Sequence, residues 1–179
     1  MKKLFLGIAI AASSLTFAQQ FGAKAGLNVS NLSNSELNSK AGFYAGVFMN
    51  APLSAQFNIQ PELLYNNLGA KESGYKLNLD YISVPVMFQY KATPQFFLEA
   101  GPQFNVLVSA KAKDGSNSIN IKDEVKGFDF GLGLGAGYWF TDKIGANVRY
   151  VAGLSDILKD NEGDAIKNNG FQVGLNYKF

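Results

Sequence analysis

The sequence contains no cysteine and no histidine. The first absence excludes a disulfide framework and thiolate metal sites. The second removes a common metal ligand and the usual general base. Long apolar runs are scarce too. The one at residues 4–12 is too short for a membrane helix, which needs ~20 residues, and no later run approaches that length. No stretch gathers lysine and arginine into the basic stripe of a nucleic-acid binder, so no nucleic-acid partner is expected.

The short apolar run has a context. Met1-Lys2-Lys3 precedes it and Ser13-Ser14-Leu15-Thr16-Phe17-Ala18 follows. A charged start, an apolar centre and a small-x-Ala end make the pattern of a secretory signal peptide over residues 1–18, with cleavage expected after Ala18. The remaining 161 residues, 19–179, suit a single domain. Losing Lys2 and Lys3 lowers the 16 basic residues to 14, equal to the 14 acidic ones, so the mature chain is neutral. Apolar residues nonetheless make up 47% of the chain and aromatics 13%, with 19 glycines. An exported chain of that balance without a spanning helix can cross a bilayer only as a closed barrel.

Periodicity supports this. In the last segment Phe171, Val173, Leu175, Tyr177 and Phe179 alternate with Gln172, Gly174, Asn176 and Lys178. The same two-residue period begins at Phe21, Phe43, Phe57, Ile82, Phe96, Phe128 and Ile144. It predicts eight strands of about ten residues, the length of a tilted transmembrane strand. The segments between them alternate in length. Residues 31–40, 66–76, 110–126 and 155–169 form long connections, and 51–55, 91–95 and 141–143 short ones. Short periplasmic turns and longer outer loops are the habit of outer-membrane barrels. The predicted fold is therefore an all-β, eight-stranded, antiparallel up-and-down transmembrane β-barrel in the outer membrane of a Gram-negative cell. Its lipid face is apolar and its narrow lumen is lined by Gly, Asn, Ser and Gln. A soluble barrel would carry many Lys and Glu on the polar parity, and they are missing. Pro61, Pro85 and Pro102 fall inside strands and call for bulges or gaps in the ladder.

Several stretches resemble the PorT-like outer-membrane β-barrel family. They are Leu79-Asp80-Tyr81-Ile82-Ser83-Val84-Pro85-Val86, Phe97-Leu98-Glu99-Ala100-Gly101-Pro102 and Gly127-Phe128-Asp129-Phe130-Gly131. A fourth is Arg149-Tyr150 followed by Gly153-Leu154-Ser155-Asp156-Ile157. Members often carry Glu where Ser83 stands. The resemblance implies an eight-stranded barrel, and its founding member is linked to a gliding and protein-secretion apparatus. Phe171, Val173, Leu175, Tyr177 and Phe179 are similar to the C-terminal signal read by the barrel-assembly machinery. Outer-membrane lipids, that machinery, and a secretion-system or surface component are the expected partners.

Three motifs bear on chemistry. Gly131-Leu132-Gly133-Leu134-Gly135-Ala136 fits the dinucleotide pattern, but the alternation continues through Gly137-Tyr138-Trp139 with no helix to follow. The glycines instead relieve crowding in the lumen. Asp156, Asp160, Glu162, Gly163 and Asp164 form an oxygen-rich loop without calcium-loop spacing, and Lys159 intrudes. Six charges share the inward parity: Lys24, Glu62, Glu99, Asp129, Arg149 and Lys178. Strand direction predicts two clusters, Glu99 with Lys24 and Lys178, and Arg149 with Glu62 and Asp129. Buried charges need partners, so a satisfied polar core is expected ahead of an ion path or a carboxylate-pair enzyme. No enzyme activity, cofactor or metal is expected. The function expected is a structural or interaction barrel with a closed lumen, the alternatives being a secretion accessory or a narrow channel.

Overall fold

The computed structural model describes residues 19–34, 38–72, 75–114, 117–159 and 164–179. The leader and its cleavage site after Ala18 lie outside the described residues. Among the described residues nine strands form: β1 (Gln20–Leu32), β2 (Asn38–Pro52), β3 (Phe57–Glu72), β4 (Tyr75–Lys91), β5 (Phe96–Asp114), β6 (Asn117–Asn120), β7 (Phe128–Trp139), β8 (Ile144–Gly153) and β9 (Asn168–Lys178). Eight pair antiparallel with their neighbours in chain order, and β1 closes onto β9. The result is a closed up-and-down barrel. The short β6 only folds back along the tip of β5, from Lys111↔Asn120 to Asp114↔Asn117.

The alternation places side chains as the period demands. Leu27, Leu134 and Leu175 stand outward at 62–69% exposure, while Tyr44, Glu99 and Arg149 point inward at 1%. Inward glycines make room for large neighbours. A Cβ on Gly174 would strike the Tyr44 hydroxyl, and one on Gly137 would strike the Phe97 ring. The glycine run of β7 is thus a recess for aromatic and arginine side chains.

The prolines interrupt the ladder without changing its register. Pairing lapses between Pro61↔Val86 and Leu64↔Ser83, and again between Pro85↔Gln103 and Phe88↔Ala100. A similar lapse separates Phe48↔Glu62 from Ala51↔Ile59. Gaps, rather than bulges, accommodate the missing N–H groups. The register shifts lie elsewhere, between Ser39 and Tyr44 and between Asp80 and Tyr81.

All three short turns repeat one device. A hydroxyl accepts the amide three residues on: Ser54 from Phe57 (3.1 Å), Thr93 from Phe96 (2.9 Å) and Thr141 from Ile144 (2.9 Å). Each residue just before the hydroxyl donates its amide to that same strand-starting residue, at 2.8 to 3.0 Å. Local side-chain bonding thus fixes each reversal.

Most barrel strands are longer than the expected ten residues, reaching 19 in β5, whereas β8 has ten. Most of the connection expected at 66–76, and the first part of 110–126, is strand. The reason is a reversal of faces. Beyond the polar lumen the inward parity turns apolar, with Leu68, Ala70, Leu77, Leu79, Leu107 and Ala110 meeting Leu32, Val125 and Ile157 in one buried cluster. Lysines occupy the outward parity there, so the stretch reads as a polar loop although its period persists.

The long connections after β5 and β8 close over this cluster. Val125 bridges Leu158, Lys126 N donates to Ile157 O at 2.7 Å, and Lys159 N donates to Glu124 O at 3.1 Å. Residues 124–126 and 157–159 thus join the two segments into one lid.

Gly137→Ala should lower the urea midpoint of the folded barrel, by about 1–3 kcal/mol of overpacking. Phe97→Leu in the same chain should recover part of that loss. Equal midpoints for the wild type and Gly137→Ala would contradict the packing described.

Candidate functional site

The middle of the lumen is a closed polar network built on four strands. Arg149 (β8) forks onto Glu62 (β3), with Nη1 donating to Oε2 at 3.0 Å and Nη2 to Oε1 at 2.8 Å. Its Nε donates to Glu99 Oε1 (β5) at 2.8 Å. Lys24 (β1) donates to Glu62 Oε1 at 2.7 Å. Two cations and two carboxylates therefore neutralise one another across the barrel, all nearly inaccessible. Arg149 spans the lumen because β8 and β3 lie opposite in the ring. Gly133 lets it cross: a Cβ there would sit 3.3 Å from Arg149 Cδ.

Amides complete the network toward the turn end. Gln60 donates to Glu62 at 2.9 Å, and Gln89 to Glu99 at 3.2 Å. Asn50 donates to both Gln60 and Gln89, at 2.9 and 2.7 Å, and accepts from Asn58 at 2.7 Å. These amides belong to the polar parity, but nothing in the sequence marks them as members of one net. Their layer floors a cavity of about 190 Å³ at the turn-end mouth, which Lys91, Lys178 and Trp139 also line.

The network differs from the two clusters expected. Lys178 does not reach Glu99. It sits at the mouth with Nζ 3.8 Å from the centre of the Trp139 ring. Lys24, one pair deeper on the neighbouring strand, turns to Glu62. Asp129 does not reach Arg149. Arg149 pairs with Gly135 on β7, six residues from Asp129, or about 20 Å along the strand. Asp129 instead accepts from Ser155 Oγ at 2.6 Å and Asn105 Nδ2 at 3.4 Å, which anchors the start of the lid. The stagger of the strands, which sequence does not print, decides both outcomes. Ser83 accepts a 2.8 Å bond from Asn66.

The acidic loop falls only in part among the described residues. Asp156 Oδ1 accepts the amides of Leu158 and Ile166, both at 3.1 Å, so it ties the lid together. Asp160, Glu162 and Gly163 lie outside the described residues. Among the described residues no group of three acidic side chains is placed to hold a metal.

The outer surface carries two aromatic belts. Phe57–Tyr90, Tyr138–Phe140 and Tyr177–Phe179 pair near the turn end, with ring centres 5.4 to 6.1 Å apart. Phe43–Tyr65 and Phe104–Phe130 pair near the lid end, at 5.7 and 5.4 Å. Phe171, Val173, Leu175, Tyr177 and Phe179 run from one belt to the other, all on the outward face. The eight steps from Phe171 to Phe179 cover about 20 Å of height once tilted, close to the ~25 Å apolar band of membrane barrels.

A family model described as "Outer membrane protein beta-barrel domain" matches residues 17–159. The chain belongs to this family. Solved structures share its fold. Neisserial surface protein A covers 89% of this chain and 97% of its own, with a TM-score of 0.65 and 16% identity. Ail, the attachment invasion locus protein of Yersinia pestis, covers 91% of this chain and 100% of its own, at 0.56 and 14%. At such identities the likeness is one of fold. No curated protein matches the chain in sequence. With the belts and apolar wall, the family makes the barrel an integral outer-membrane protein embedded in lipid.

Arg149→Leu should cost about 3–5 kcal/mol in urea unfolding, because it removes the cation paired with Glu99 and leaves Lys24 to neutralise Glu62. Adding Glu99→Gln should recover part of the loss, whereas adding Asp129→Asn should not. Recovery by Asp129→Asn would reject the network.

Proposed function

We propose that this barrel is a closed structural or interaction module of the outer membrane, which works through the surface of its lid rather than through its lumen. The observation that carries this reading is the double closure. The Lys24–Glu62–Arg149–Glu99 network fills the middle of the lumen, and the apolar cluster under the lid seals one end. A water-filled path would need a polar, open bore, and here the charges are spent on one another. The reading is also non-enzymatic: neither carboxylate of the network is free to take a proton from a substrate.

The short turns, Gln20 and Phe179 lie at one end, which fits the periplasmic side, and the lid then faces outward. Residues 1–18 act as a cleaved export signal. The outward series ending at Phe179 acts as the recognition strand for the assembly machinery. The finer resemblance to PorT-like barrels makes components of a protein-secretion apparatus the first partners to seek at the lid.

Purified protein in planar bilayers should give no steady conductance. Regular single-channel steps from the wild type would overturn the closed-lumen reading. Crosslinking on intact cells through cysteines placed at exposed lid positions should trap a surface or secretion partner. Capture of the assembly machinery alone would count against a partner at the lid. N-terminal sequencing of membrane-inserted protein should begin at Gln19. Deleting Phe179 should lower the amount inserted in cells while leaving the urea midpoint of refolded protein unchanged. Normal insertion would remove the terminal strand's signalling role.

A further inference from the structure

Past the apolar band the wall continues on β3, β4 and β5, and its outward face there is basic. Lys71 stands directly opposite Lys76, and Lys76 directly opposite Lys113. Lys111 follows two residues along β5, opposite Asn78 and Asn120. All four lysines are exposed. Alternate residues Ala70, Leu77 and Ala112 are buried, the first two in the apolar cluster, so the outward direction of the lysines is fixed by packing.

Strands lie ~4.8 Å apart, so three cations fall within about 10 Å. Like charges directly opposite one another destabilise a strand pair. The acids of the same tip do not relieve them. Glu72 and Asp114 alternate to the other face, flanking Tyr75. Asp80, on the lysine face but nearer the membrane, accepts from Asn67, which Lys40 holds at 2.6 Å. The row therefore carries a concentrated positive charge that its own sheet does not balance.

What lies beneath the row identifies the counter-charge. On the same three strands and the same face, Leu63, Val84, Val106 and Val108 form the lipid-contacting wall. A lipid lying on that wall carries its headgroup to the height of the lysines. We propose that Lys71, Lys76, Lys111 and Lys113 bind the phosphate of a lipid headgroup whose acyl chains rest on the β3–β5 wall. This rests on the bilayer placement of the apolar band. A phosphorylated glycolipid and an acidic glycerophospholipid both present this phosphate, and the recognising chemistry is the same.

The test uses the mature chain folded in neutral detergent. Native mass spectrometry would count the retention of bis-phosphorylated lipid A, phosphatidylglycerol and phosphatidylcholine. The wild type should retain the anionic lipids over phosphatidylcholine, more weakly as salt rises. The variant K71Q/K76Q/K113Q should lose anionic-lipid affinity by roughly tenfold to a hundredfold. A control of equal charge loss at the other mouth, K91Q/K143Q/K178Q, should stay within about twofold of wild type, since surface charges act only over about a Debye length. Heat-dependent gel mobility checks folding, and K111Q/K113Q serves if the triple variant misfolds. A preference for lipid A would assign the site to a glycolipid, and parity with phosphatidylglycerol to acidic headgroups in general; either supports the site. Equal retention by the row variant and wild type, equal losses in the control, equal binding of phosphatidylcholine, or displacement by millimolar inorganic phosphate alone would each overturn it. Flotation with vesicles is scored separately. A wild-type chain that does not float refutes the bilayer placement, and one that floats but ignores the row variant refutes only this site.

Discussion

The barrel is organised around one side chain that reaches across it. Arg149 touches carboxylates on β3 and β5 from β8, and through Glu62 it is joined to Lys24 on β1. In a lumen that narrow a buried charge has nowhere to find solvent, so each must meet its opposite inside the wall. That condition fixes how the strands are staggered. A one-residue slip of β3 or β8 would turn Glu62 or Arg149 toward lipid. The ion network thus penalises every other alignment of these strands, since each would leave a charge without its partner.

Volume is the companion constraint. Arg149, Tyr44, Tyr81 and Phe97 are large side chains within a bore that eight strands leave just wide enough to fill. Glycine supplies the matching space on nearby strands, at Gly133 for Arg149 and at Gly174 for Tyr44. Above the ion network the same inward positions become leucine and alanine, and the core changes from polar to apolar without a break in the sheet. The barrel therefore has two interiors. One lies within the bilayer and is polar inside an apolar wall. The other lies beyond it and is apolar inside a basic wall.

Much of this was legible in the chain. Strict alternation through Phe171–Phe179 and its seven counterparts gave the strands, their faces and the antiparallel order, because a two-residue period has no other simple reading. The inward charges were legible as a set but not as pairs. Lys178 and Asp129 share the parity of Arg149, and only the stagger between strands shows that they sit at other depths. The strand extensions were missed for a related reason. Lys71, Lys76 and Lys113 look like loop residues until Ala70, Leu77 and Ala112 are seen to keep the period on the opposite face. The repeated hydroxyl turns could have been found from Ser54-Ala55-Gln56-Phe57 beside Thr93-Pro94-Gln95-Phe96 and Thr141-Asp142-Lys143-Ile144. What no pattern disclosed is the lid, whose long-range backbone bonds join segments some thirty residues apart in the chain.

The lid also limits how this surface can diversify. Exposed loops on a cell surface commonly vary by gaining and losing residues, since a free loop absorbs length at little cost. Here the backbone of 124–126 is hydrogen-bonded to that of 157–159, and Ile157 to Ile166. An insertion in either segment would shift a strand-like pairing that belongs to the other. Length change is then confined to the stretches outside those bonds, and residues within them are free to vary only in side chain. Such a surface can alter its chemistry from one lineage to the next while keeping a constant shape.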